Sequence, residues 1–144
     1  MASNEELTDS PTGWVAKHIQ EYVESDGEKG HKWRGVPTLL LTTRGRKTGK
    51  LRRTALIYGR DGESFVVVAS VGGAAKHPQW YLNLLADGEV NLQVGSTTFA
   101  ARARTANPDE RTRLWPEMAR IWPQYDAYQQ KTRREIPVVI LDPV

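Results

Sequence analysis

At 144 residues, with 39% apolar and 26% charged positions and a mean hydropathy of −0.56, the chain has the make-up of one globular domain with one real core. It has no cysteine, which excludes disulfides, thiolate catalysis and thiolate metal sites. It also has no run approaching the roughly 18 apolar residues that a membrane span needs. The formal charge is only +3, yet Arg44, Arg46, Lys47, Lys50, Arg52 and Arg53 cluster with no acidic residue among them. Such a cluster points to a polyanionic partner, either nucleic acid, anionic lipid or a phosphorylated small molecule, unless it is only a solvated hairpin tip.

In chain order, residues 1–11 read as a disordered tail and residues 12–144 as a single domain. The first ten residues carry Glu5, Glu6 and Asp9 and no basic residue, unlike a signal or transit peptide, so a cytoplasmic location is expected. Thr12 is placed to cap a helix whose Val15, Ile19, Tyr22 and Val23 fall at helical spacing. This helix is amphipathic and carries Trp14, which leaves peripheral membrane contact open beside packing on the rest of the domain.

After a polar connector over 26–35 the apolar period changes. Strands are expected over 36–43, 51–58 and 64–69, joined by the basic turn and by Arg60-Asp61-Gly62. A helix follows from about Pro78 to Ala86, then strands over 89–94 and 97–105 around Gly95-Ser96. Asn107-Pro108 with Glu110 starts a helix towards Trp122, bent or broken at Pro116. A short helical segment from Pro123 to Gln130 and a buried strand over 136–141 complete the chain. Six strands, mostly in hairpins, predict an α+β fold with a mainly antiparallel sheet closed into a barrel and helices packed outside.

Several chemistries are absent. No G-x-G-x-x-G follows a strand, so a dinucleotide-binding fingerprint is missing. The segment from Gly45 to Lys50 has the wrong glycine spacing for a phosphate-binding P-loop, and no long apolar helix follows it. His18, His31 and His77 lack metal-ligand spacing, so no metal is expected. The basic turn has its own logic: two glycines allow positive φ and expose N–H groups, while Arg46, Lys47 and Thr48 supply charge and a hydroxyl. It would grip a phosphate, with Arg52 or Arg53 on the return strand. A second cluster, from Ala69 to Leu84, joins a strand end, a Gly72-Gly73 loop and a helix N-terminus. N–H groups and the helix dipole converge there on an anion or a ring edge. The competing reading makes Trp80, Leu82 and Leu84 core residues and the glycines a tight connection.

Taken together, Leu-Leu-Leu-Thr-Thr-Arg-Gly-Arg-Lys-Thr-Gly-Lys-Leu-Arg (39–52) and Ala-Ser-Val-Gly-Gly-Ala-Ala-Lys-His-Pro-Gln-Trp-Tyr-Leu-Asn-Leu (69–84) resemble the deazaflavin (coenzyme F420)-dependent nitroreductase and quinone reductase family. These are actinobacterial enzymes of the split β-barrel, FMN-binding-like fold. The resemblance continues through Trp-Pro-Gln-Tyr-Asp-Ala-Tyr-Gln (122–129) to Ile-Pro-Val-Val (136–139). It implies that Arg46, Lys47, Thr48, Gly49 and Arg52 hold the phosphodiester and glutamate tail of F420. Ala69 and Ser70 would lie along the deazaflavin, framed by the segment that includes Gly72, Gly73, Lys76 and Trp80. Tyr125 and Tyr128 would sit on the substrate side, making Ser70, Tyr125 and Tyr128 the candidate catalytic residues. Val71 stands where some members carry lysine, and Trp122 where some carry tyrosine.

The activity so implied is hydride transfer from reduced F420 to a small-molecule electron acceptor such as a quinone, nitroaromatic or enone, with the cofactor carrying the hard step. Tyr125 is the favoured proton donor, against a reading in which it only packs among Trp115, Trp122 and Tyr128. The nearest rival is an FMN-binding split-barrel oxidoreductase, whose phosphomonoester would suit the same turn. A nucleic-acid-binding barrel is disfavoured, because Tyr58 and Phe65 are the only aromatics in the first three strands. Oligomeric state is left open.

Overall fold

The structure, a computed structural model, describes residues 7–9, 13–33 and 35–144. Its strands are β1 (Leu7–Asp9), β2 (Lys32–Trp33), β3 (Val36–Arg44), β4 (Leu51–Ile57) and β5 (Gly59–Asp61), followed by β6 (Ser64–Val68), β7 (Glu89–Val94), β8 (Thr97–Thr105) and β9 (Val138–Pro143). The helices are α1 (Gly13–Glu24), α2 (Gln79–Ala86), α3 (Pro108–Ile121) and α4 (Gln124–Gln130). Hydrogen bonding orders the sheet β1-β4-β3-β7-β8-β9-β6-β5, with β2 added to β3. Every pairing is antiparallel except β1 with β4. Among the described residues the two ends of this path do not pair, so the barrel is split rather than closed.

Period-two alternation explains how the layers assemble. Phe65, Val67 and Ala69 turn into the barrel beside Leu39, Leu41, Val139 and Leu141. Val66 and Val68 turn outward with Val138 and Ile140, where Leu114 and Met118 of α3 and Tyr125 of α4 cover them. Because β6 is covered on both faces, it reads as an unbroken apolar run. On β3, Leu40 faces the other way and is covered by Val15, Ile19 and Tyr22 of α1. Val15, Ile19 and Tyr22 of the α1 stripe are therefore spent on the sheet, while Val23 stays exposed. The side chain of Trp14 lies outside the described residues. No described helix is long and apolar enough to cross a membrane.

Four local expectations change. Leu7–Asp9, expected in a disordered tail, pair in parallel with Leu51–Arg53, and the Asp9 carboxylate takes two hydrogen bonds from Arg53 at 2.6 and 3.0 Å. The rest of the tail and the Thr12 cap lie outside the described residues. Secondly, of the bend or break expected at Pro116, the break does not occur: α3 runs through it. The Asn107 side chain accepts from the Glu110 N–H at 2.9 Å and the Glu110 carboxylate accepts from the Asn107 N–H at 3.0 Å, so the helix start is fixed. Burial of Leu114 and Met118 on either side of the proline holds the rest. Thirdly, the last strand begins at Val138 rather than 136, because Pro137 has no N–H to give to a ladder. Its carbonyl instead receives the Ala69 N–H at 3.0 Å. Finally, β2 and β5 are short pairings that the sequence pattern does not announce.

Candidate active site

The basic turn caps the β3–β4 hairpin. Gly45 donates its N–H to the Lys50 carbonyl at 2.7 Å, and Gly49, at φ +72°, donates to the Gly45 carbonyl at 2.8 Å. The Lys50 N–H goes to the Thr48 hydroxyl at 3.2 Å. The Arg46 N–H goes to Asn83 on α2 at 3.2 Å. Four N–H groups of the turn are thus already spent, and both expected glycine donors are among them. Any grip on an anion here rests on side chains more than on a backbone nest. Lys47, Thr48 and Arg52 are exposed and available for it, and Arg46, exposed as well, gives one guanidinium N–H to Asn83 and keeps the others.

The second segment leaves β6 through Ala69 and Ser70 and enters a single 3-10 turn over Val71–Gly73. All three residues of that turn have positive φ: +46° at Val71, +59° at Gly72 and +84° at Gly73. A β-branched residue is rare in this region, since its side chain crowds the backbone. Val71 is nevertheless held there and is 51% exposed. Gly73 is sterically required, because a Cβ there would lie 2.7 Å from the Tyr128 carbonyl oxygen. The turn is therefore packed directly on the backbone of α4. Pro78 then precedes α2, which delivers Trp80 and Asn83.

These segments enclose two cavities along the open seam, of about 670 Å³ and about 470 Å³. Both are lined by Thr54, Val71, Pro78 and Trp80, so together they form one cleft. The larger end is basic and carries Arg46, Lys47, Arg52, Arg53 and Lys76, with Asp9 the acid that neutralises Arg53 at its rim. The smaller end is aromatic and apolar, walled by Leu56, Trp80, Trp122, Tyr125 and Tyr128, with Ser70 and Gly72 at its base.

Tyr125 is only 5% exposed, and burial, reinforced by neighbouring Tyr128, pushes its phenol well above the usual tyrosine range. Its hydroxyl has no partner among the described residues. Every buried side-chain polar atom among them is satisfied, so this hydroxyl reaches the cavity. The Tyr128 ring meets that of Tyr125 edge-on, with centroids 6.2 Å apart. Its hydroxyl accepts from Trp122 Nε1 at 3.4 Å, which leaves its own proton to give.

Of the residues singled out from sequence, Arg46, Lys47, Thr48, Arg52 and Lys76 gather at the basic end, and Ser70, Gly72, Tyr125 and Tyr128 at the aromatic end. Trp80 lines both and also packs on the barrel core, so its two readings are compatible. Gly49, Ala69 and Gly73 do not line the cleft. Gly49 shapes the turn, Ala69 is fully buried in the barrel, and Gly73 backs onto α4. Sequence reasoning missed Asn83, His77 and Arg134. Only Asn83 carried a signal, as an amide on the apolar helix face between Tyr81 and Leu84.

A split barrel whose seam carries cations at one end and tyrosines at the other has the make-up to take an anionic, ring-bearing molecule. A family model described as F420H(2)-dependent quinone reductase matches residues 14–143. An F420H(2)-dependent quinone reductase of Mycobacterium tuberculosis is 39% identical, over 89% of this chain and 95% of its own. A solved structure of an F420-H2 dependent reductase superposes with a TM-score of 0.69 at 38% identity, covering 74% of this chain and 94% of that one. Another, described as a domain-swapped dimer, gives 0.71 at 36% identity over 92% of this chain and all of that one. The chain belongs to the F420H(2)-dependent quinone reductase family. It is an enzyme of the F420-dependent reductase type, with coenzyme F420 as its cofactor.

Proposed function

We propose that this enzyme reduces quinones, and by the same chemistry other activated acceptors such as nitroaromatics and enones, at the aromatic end of the seam. The observation that carries this reading is the division of one cleft into a cationic arm and a tyrosine-lined arm that meet at Val71 and Trp80. The donor set fits the cofactor: Arg46, Lys47, Arg52 and Lys76, with the Thr48 hydroxyl, suit a polyanionic tail, and Ser70, Gly72 and Trp80 suit a flat ring. When bound, F420 supplies hydride from the ring carbon of its reduced deazaflavin. The protein's own part is to hold the acceptor against Trp122, exclude water with apolar walls, and offer phenol protons to the acceptor oxygen. The Tyr125 phenol is protonated at neutral pH, and burial moves its titration further from that range, so it acts as a hydrogen-bond donor and not as a base.

FMN is the alternative occupant, and the number of cations argues against it, since a phosphomonoester needs fewer. Titration of the purified protein with F420 and with FMN should show tighter F420 binding that weakens as salt rises. Stopped-flow oxidation of the reduced cofactor against quinone, nitroaromatic and enone acceptors would then rank the substrates. Equal or tighter FMN binding would overturn the reading.

A further inference from the structure

Arg134 lies in the connector between α4 and β9, outside the sequence motifs at 39–52, 69–84, 122–129 and 136–139. Its guanidinium is half-buried, and its hydrogen bonds all run to one loop. Nη2 donates to the Ser70 carbonyl at 2.7 Å and Nε to the Ala74 carbonyl at 2.8 Å. Nη1 donates to the Ala69 carbonyl at 3.1 Å and lies 3.0 Å from Nδ1 of His77. It has no carboxylate partner among the described residues. The backbone of Arg134 is itself held, because its carbonyl accepts from the Gln129 amide of α4 at 2.8 Å. The Gln129 Oε1 in turn receives the Ile136 N–H at 2.8 Å. One charged fork thus ties the strand end, the left-handed turn and the segment before α2 to the helix that carries Tyr125 and Tyr128.

The contact with His77 has a chemical consequence. A guanidinium has donors only, so Nδ1 of His77 must accept and the ring hydrogen must sit on Nε2. Protonation of Nδ1 would set two donors against each other. Burial, with the Arg134 charge as the second cause, accordingly holds the imidazole below its usual range. The ring is packed against Tyr81, with centroids 4.9 Å apart, and it lines the basic end of the cleft.

We infer that Arg134 is a positioning residue for cofactor binding: its single guanidinium fixes the Ala69, Ser70 and Ala74 carbonyls and holds His77 as the neutral, Nε2-protonated donor bordering the cleft. The inference rests on the proposed use of the seam as the F420 site. A lysine at 134 keeps the charge but cannot reach four acceptors at once, since an ammonium is a compact point donor and not a planar fork.

The test uses Arg134→Met and Arg134→Lys in the full chain. Nitrogen NMR of the His77 imidazole, recorded without cofactor, should show the Nε2–H form in the parent and a mixed or protonated ring in both variants. F420 titration, followed by deazaflavin fluorescence, should show affinity falling by about tenfold or more in Arg134→Met, the scale of one charge-assisted hydrogen bond lost. The fall in Arg134→Lys should be smaller. Arg134→Lys also serves if Arg134→Met does not fold. Unchanged imidazole signals in a folded variant, or unchanged F420 affinity, overturn the inference. The imidazole readout needs no cofactor, so failure of the parent chain to bind F420 would count against the proposed function and leave that readout standing.

Discussion

Arg46 gives two hydrogen bonds to one acceptor, the Oδ1 of Asn83: its main-chain N–H at 3.2 Å and its guanidinium Nη1 at 3.0 Å. The Asn83 amide is 4% exposed and donates from its other end to the Thr43 hydroxyl at 3.4 Å. One buried side chain on α2 therefore sets where the basic turn of the β3–β4 hairpin stands over the cleft.

Asn83→Ala should cost about 1–3 kcal/mol, because it strands a turn N–H and empties a buried polar site. It should also weaken F420 binding, although residue 83 carries no charge. Thermal melts and cofactor titration on the same sample measure both. A variant that loses stability and binds F420 as tightly as the parent would show that the turn is held by other means.

Tyr125→Phe removes only a hydroxyl that faces the cavity. Turnover should fall by about 100-fold, the low end for loss of general acid assistance, with F420 affinity retained. If Tyr125 only packs, Phe will be nearly silent and Tyr125→Ala alone will hurt, by opening a cavity. Tyr128→Phe is the internal comparison, since its hydroxyl shares the same cavity but is already engaged by Trp122. Steady-state kinetics with one quinone decide between the two patterns.

Gly73→Ala places a methyl group 2.7 Å from the Tyr128 carbonyl, at a φ of +84°. It should destabilise by more than about 1 kcal/mol, through left-handed strain and a clash with backbone that cannot swing aside. Because the clash pushes on α4, turnover should fall further than F420 affinity. Gly72→Ala shares the positive φ but meets nothing within 4 Å, so it isolates the cost of strain alone.

The Arg104 guanidinium and the Asn107 N–H together hold the Glu110 carboxyl at about 2, below its ordinary 4.5. A depressed carboxylate contributes stability that is complete above 4.5 and is lost as pH falls towards 2. Thermal melts of the parent should therefore decline across that window. Glu110→Gln keeps the capping hydrogen bond but not the charge. It should melt below the parent at pH 6 and alongside it near pH 2, and a parallel decline in both proteins would rule the carboxylate out.

The elements that can be read from sequence are those whose signal is local. The Phe65–Val68 run, the Asn107/Glu110 cap and the Gly95 turn announce themselves within a few residues. The parallel pairing of Leu7–Asp9 does not, because its partner lies more than forty positions away and three residues carry no period. Pro116 does not end the helix, because burial of Leu114 and Met118 overrides a local breaker. In the cleft, the basic and aromatic residues can be named from motif alone, but their supports cannot. Asn83 and Arg134 act through carbonyls and side chains far along the chain, and an arginine in a polar connector looks like any solvated charge. Two-fold alternation was the signal for Ala69, which continues the inward series of Phe65 and Val67, whereas Ser70 has already left the strand.

The burial of β6 on both faces has a bearing on how the molecule opens. Its amides are bonded to β5 on one side and β9 on the other, under the barrel core and under α3 and α4. Such amides exchange with solvent only when much of the fold is disrupted, so Val66–Val68 should be among the last to take up deuterium. Two residues beyond Ala69 the chain enters the left-handed turn, whose Val71 and Gly72 are exposed while Gly73 is buried against α4. The floor of the cleft is thus continuous with the slowest-exchanging part of the protein. Opening to admit a bulky ring should therefore begin at the exposed Val71 and Gly72 and not at β6.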